Sequence, residues 1–219
     1  VWTKTAPTGW VADDSGVPGV GTDLDGVTEW AGWSFTDKAW WTQAAEDQRR
    51  SEFTRASGTV MVSDPDEWDD AGHEDSAANG WYDTYLTTRG IDVSGAAANS
   101  MVIIFDSSWR PEFDSNYQQT GNITVSYDGG ADQTVMLWSS DGSQPAWDPA
   151  AGVTEGFKDD NSTNERIVLD LNNPSGASEA LFTFGLFEAG NDWWWALDNV
   201  SIGVPPVITA VDATPISFS

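Results

Sequence analysis

NITVSYDGG, residues 122–130, decides the fold. Ile123, Val125 and Tyr127 fall on one side of an extended chain and Thr124 and Ser126 on the other, the period-two pattern of a half-buried strand. Asp128-Gly129 then supplies a turn whose two central residues tolerate positive φ. TVMLWSS (134–140) resumes an apolar pattern after a very short gap, so the two segments predict a β-hairpin. The same punctuation recurs outward. ERIVLDLNNPSG (165–176) and ALFTFGLFEAGN (180–191) are strands closed by turn residues, and SMVIIFDSSW (100–109) is continuous enough to be a central strand covered on both faces. Only TDKAWWTQAAEDQRRSEF (36–53) competes as a helix, with Thr36 as a cap candidate and apolar spacing that is loosely helical. The expectation is an all-β fold: a two-sheet antiparallel β-sandwich of jelly-roll type, with at most one short helix near residues 37–50. Residues 1–204 form this domain, and residues 205–219, opening on two prolines, are a linker or the start of a following domain, with an edge strand or tail as the alternative.

Composition narrows the partners. Nine basic against 35 acidic side chains give a net charge of −26, which repels nucleic acid and anionic membrane surfaces. Fourteen Trp, nine Phe and four Tyr supply far more buriable surface than a disordered acidic chain carries. The absence of cysteine excludes disulfides, thiolate metal sites and a cysteine nucleophile. No apolar run approaches the ~18 residues of a membrane span, and the abrupt ends, VWTKTAPTGW and DATPISFS, are those expected of a segment from a longer exported bacterial protein with covalently linked neighbouring domains.

Two acidic features invite a metal. VSDPDEWDDAGHEDS (62–76) gathers Asp64, Asp66, Glu67, Asp69, Asp70, Glu74 and Asp75. Hard oxygen ligands crowded in a loop suit calcium, with Asp64, Asp66 and Asp69 as candidate ligands; a solvated acidic loop is the equal alternative. The same three acids loosely echo an E-x-D-x-x-E motif of jelly-roll glycoside hydrolases, with two positions changed and Pro65 interrupting the strand. His73 is the single histidine, which excludes a multi-histidine zinc site, and no G-x-S-x-G accompanies it.

NDWWWALDNV (191–200) is the second feature. As a strand it directs Trp194, Ala196 and Asp198 to one face and Trp193, Trp195 and Asn199 to the other. The second face turns polar, so Trp193 and Trp195 are candidates for an exposed sugar platform, since indoles stack on the C–H faces of pyranose rings. Trp109 and Trp138 join them because each ends a strand beside polar residues. Trp10, Trp30 and Trp33 are expected to cap the core. Asp198, in an apolar column, needs a proton, several hydrogen-bond donors or a metal.

NDWWWALDNVSI (191–202), with IDVSGAAANSMVIIF (91–105), resembles the ending and middle of MAM-like and concanavalin-like jelly-roll domains of secreted bacterial multidomain proteins, over roughly residues 80–203. Carbohydrate-binding modules of this kind commonly hold a structural calcium between an N-terminal acid and the Asp of the last strand; the resemblance thus implies Asp198, with Glu29 as partner. The combined expectation is a non-catalytic, calcium-stabilised carbohydrate-binding accessory domain, secreted or cell-surface, whose partner is a polysaccharide or glycan and which neither binds nucleic acid nor inserts into a membrane. The alternatives are a structural or adhesive module with all tryptophans inside, and a glycoside hydrolase or polysaccharide lyase using paired carboxylates.

Overall fold

A computed structural model describes residues 1–18, 28–69, 81–113, 118–190 and 193–205. Among these the chain forms strands β1 Trp2–Thr3, β2 Val11–Gly16, β3 Ser34–Asp37, β4 Thr59–Ser63, β5 Tyr82–Thr87, β6 Ile91–Asp92, β7 Met101–Arg110, β8 Thr120–Tyr127, β9 Gln133–Ser139, β10 Glu155–Phe157, β11 Glu165–Leu171, β12 Glu179–Ala189 and β13 Trp194–Gly203. Helices α1 (Lys38–Ala44) and α2 (Pro65–Asp69) are short. One sheet runs β1-β3-β4-β13-β7-β11 and the other β10-β9-β8-β12-β5-β2, with β6 also on β12. Pairing is antiparallel apart from the β10–β9 edge. This is the expected all-β two-sheet sandwich. The opening hairpin forms with Asp128 at φ 51° and Gly129 at φ 69°, and Gly130 N closes the turn by donating to Tyr127 O at 2.9 Å.

The helical content departs from expectation in two places. In α1 the cap is Asp37, whose carboxylate accepts from Trp40 N at 3.1 Å, one residue beyond Thr36. The second helix, α2, was expected as acidic loop. Asp64 caps it: its carboxylate accepts from Glu67 N at 3.3 Å and its carbonyl from Trp68 N at 3.1 Å, while Pro65 takes the first helical position.

The inter-sheet core is built on four indoles. Trp195 and Trp109 face each other across β13 and β7; Trp195 lies 5.7 Å from Trp33 and 5.5 Å from Trp138, and Trp109 lies 5.4 Å from Trp138, ring centroid to centroid. All four are fully buried. Gly121 makes room for them, because a Cβ there would stand 2.8 Å from the Trp109 ring. The outer face of the first sheet is covered at its Trp194 end, while Val168 on β11 is exposed. Trp194 packs edge-on against Trp41 of α1 at 5.7 Å and lies 4.4 Å from the Arg50 guanidinium. Adjacent serines answer the two indole N–H groups: Trp194 Nε1 donates to Ser108 Oγ at 2.9 Å and Trp195 Nε1 to Ser107 Oγ at 3.2 Å.

Three of the expected platform residues are therefore corrected. Trp195, Trp109 and Trp138 point between the sheets and reach no solvent, since the aromatic side chain at each strand end turned inward rather than toward the polar neighbours. The expected faces are exchanged as well: Trp195 belongs to the inter-sheet side, and Trp194 to the outer side, which α1 and the residues after it bury. The expected domain edge at residue 205 and the segment beyond it lie, from 206 on, outside the described residues, as do Asp70, His73, Glu74 and Asp75.

Candidate ligand cleft

The ends of four strands converge at one end of the sandwich. Antiparallel pairing sets Arg110, the last residue of β7, opposite Trp194 and so beside Trp193. Phe157, ending β10, pairs with Ser139, ending β9. Between them opens a cleft of about 450 Å³ lined by Trp193, Arg110, Phe113, Ser140, Phe157, Asp159 and Asp160, with Pro111 and Glu112. Trp193 is half-buried, and Phe113 is 48 % exposed, so both present ring surface to the opening. The cleft thus combines apolar ring faces with carboxylates and a guanidinium, the composition of a site that stacks on an apolar face and bonds polar groups around it.

Its parts are held from behind. The Arg110 guanidinium lies 3.4 Å from the Trp193 ring centroid and donates to Gln48 O; burial, with Arg49 and Arg50 near by, draws its pKa below the usual arginine range. Arg49 donates to Asp160 O at 3.3 Å. Both anchors come from Glu46–Arg49, four successive residues at positive φ (50°, 63°, 40° and 82°). Such a left-handed run costs roughly 1 kcal/mol per residue. Asp47 holds it, its carboxylate accepting from Ser51 N at 2.7 Å. On the other wall, Asp159 Oδ1 accepts from Asn161 N at 3.0 Å and from Ser162 Oγ at 3.3 Å, and Lys158 N is tied to Ser139 O at 3.0 Å.

Of the predicted platform, Trp193 alone reaches this cleft. Arg110, Phe113, Phe157 and Asp159 were not singled out from the sequence. The signal lay one step from residues that were: in SSWRPEF (107–113) the strand alternation that turns Trp109 inward presents Arg110 outward.

The predicted metal ligands have other partners. Asp64 is fully buried and accepts from Arg50 Nε and Nη2, each at 3.1 Å, and from Trp41 Nε1 at 2.8 Å. Burial pushes its carboxyl above the ordinary range, and Arg50 and these N–H donors oppose that push. Arg50 Nη2 also meets Asp66 at 3.2 Å and Glu67 at 3.0 Å. A guanidinium thus already stands among the carboxylates where a cation was expected. Asp69 is half-buried at the end of α2. Asp198 accepts from Ser57 N at 2.9 Å and Asn199 N at 2.7 Å, at a β-bulge where Asn199 has φ 54°. Glu29 is not brought to it: the Glu29 carbonyl is held by Ser34, which pairs with Val62, whereas Asp198 is held at the Ser57 side of β4. These residues do not fit a calcium ion, and among the described residues no group of three acidic, histidine or cysteine side chains is arranged to hold a metal. The sealing of Asp64 against Arg50 likewise takes it out of reach of a glycosidic bond.

No protein-family model matches the chain, and no curated protein matches it. Among solved structures it is similar to the carbohydrate-binding module TmCBM61, solved with β-1,4-galactotriose, at 12 % identity over 90 % of each chain and a TM-score of 0.44. It is also similar to TmCBM27, a mannan-recognising module, at 10 % identity over 66 % of this chain and 72 % of that one with a TM-score of 0.30. The family 11 xylanase of Neocallimastix patriciarum shares 7 % identity over 93 % and 95 %, with a TM-score of 0.35. At such scores the functional reading stands on the cleft alone. Among the described residues no helix is long and apolar enough to cross a membrane.

Proposed function

We propose that this domain is a non-catalytic carbohydrate-binding module of an exported multidomain protein, and that it holds its glycan in the cleft beside Trp193. The observation that carries this reading is the juxtaposition of Trp193, Phe113 and Phe157 with Asp159, Asp160 and Arg110 in one opening of about 450 Å³. Pyranose rings are amphipathic in the same sense: C–H faces stack on aromatic rings while equatorial hydroxyls bond carboxylates and guanidinium. The strained turn at Glu46–Arg49 supports the reading, because strain kept beside a cleft fixes its polar groups before a ligand arrives.

Affinity electrophoresis through a panel of polysaccharides tests the proposal. Retardation by at least one of them, lost in Phe113→Ala and in Trp193→Ala while the far-ultraviolet spectrum stays native, is the expected result. No retardation by any glycan would leave a structural module. Calcium stabilisation is a separate proposal, resting on Asp70, Glu74 and Asp75 of the acidic stretch, which lie outside the described residues. A melting temperature that rises with free calcium and falls with chelator supports it; an unchanged curve removes it.

A further inference from the structure

The cleft continues past its own wall. Phe157 and Asp159 line it on one side and, on the other, line a second recess of about 340 Å³ that reaches Trp147, Lys158 and Glu165. Phe157 is a partition with an aromatic wall on each side of it: Trp193 and Phe113 in one recess, Trp147 in the other. The backbone fixes this spacing, since Phe157 N donates to Pro145 O and Trp147 N to Phe157 O, both at 2.8 Å. Two ring-lined recesses joined over one shared partition match consecutive units of a chain better than a single sugar.

Charge selects among chains. Two cations line the groove, and both have contacts within the protein. Lys158 Nζ is ion-paired with Glu165 and lies 5.1 Å from the Trp147 ring centroid. Arg110 stacks on Trp193 and donates to Gln48 O. Asp159 and Asp160 stand between them, on a molecule of net charge −26. The two recesses are lined by Glu112, Asp159, Asp160 and Glu165 against Arg110 and Lys158, so a polyuronate or a sulfated glycan entering here would meet an excess of carboxylates, whereas a neutral hydroxyl offers a proton to Asp159.

We infer that the two recesses are consecutive subsites for an uncharged polysaccharide chain, with Phe157 between adjacent sugar units and Trp147 as the platform of the second subsite. This deepens the carbohydrate-binding reading and rests on it.

The test is calorimetry of the intact chain against ladders of neutral gluco-, manno-, galacto- and xylo-oligosaccharides, from disaccharide upward, beside alginate and a sulfated galactan. In the ladder that binds, affinity is expected to climb by about tenfold (1.4 kcal/mol) as the second recess fills, then level off. Trp147→Ala should abolish that climb while leaving disaccharide binding in place. Tighter binding of alginate or the sulfated galactan than of every neutral glycan would overturn the inference, as would a ladder indifferent to Trp147→Ala; in both cases the module still binds carbohydrate. Binding to none of them would instead remove the underlying reading.

Discussion

Arg50 is the guanidinium on which three carboxylates, Asp64, Asp66 and Glu67, converge. It is fully buried, forked onto Asp64, and in reach of Asp66 and Glu67, with the Trp194 ring against its guanidinium. Removing one member of a buried pair leaves an uncompensated charge, so Arg50→Met should cost about 3–5 kcal/mol in chemical denaturation. Adding Asp64→Leu to that variant should recover much of the loss, since a well-packed apolar replacement of both partners is close to neutral; a double variant no better than the single one would contradict this. Sequence reasoning found Asp64 and Asp66 as carboxylates in need of a cation, and that need is real. It missed the cation because Arg50 is 14 residues away in a segment read as helix, and nothing local in EDQRRSEF separates a buried arginine from an exposed one. The tryptophans show the same limit. Period two separates Trp194 from Trp195, but Trp193 precedes β13 and lies against Trp194 and Arg110, and whether an outer face is covered depends on α1, which arrives from elsewhere in the chain.

Among the elements, the β8–β9 hairpin was the most legible and α2 the least. Alternation and Asp128-Gly129 specified the hairpin locally, and the structure adds a long-range tie: Asp128 accepts from Ser178 N and Oγ and from Glu179 N, at 3.0, 2.6 and 3.0 Å, pinning the turn to the start of β12. The Ser178 hydroxyl and these amides hold the Asp128 carboxyl below its usual 3.8. A depressed folded-state pKa contributes stability that is present above the unfolded value and lost as pH falls through the folded one. The melting-temperature gap between the parent and Asp128→Asn should therefore be full at neutral pH and close as the pH drops below 3.8; a gap independent of pH would contradict the assignment. Helix α2 was obscured because Asp-Pro followed by acids satisfies a capping pattern and an acidic loop equally well. The Glu46–Arg49 turn was illegible for a stronger reason: none of its residues favours positive φ enough to announce it.

At the scale of the whole molecule, two sheets packed over a tryptophan-rich seam bring strand termini together at one end, and the cleft lies there. A molecule of net charge −26 repels itself, and screening should relieve this. The melting temperature is expected to rise on adding sodium chloride to a low-salt buffer; a fall would point to attractive pairs dominating. The fold class was readable because hydrophobic period and turn chemistry are local. The cleft was only partly so, because it joins residues 110–113, 157–160 and 193, whose proximity is a product of sheet order. The measurement that bears most directly on the account is calorimetric titration of the parent, Phe113→Ala and Trp195→Ala with whichever neutral polysaccharide retards the parent. Phe113→Ala should lose about tenfold or more in affinity at an unchanged melting temperature, and Trp195→Ala should lose about 3–5 kcal/mol of stability while its folded fraction keeps the parent affinity. Full affinity in Phe113→Ala, or loss of affinity that follows Trp195 alone, would contradict a glycan site at this cleft.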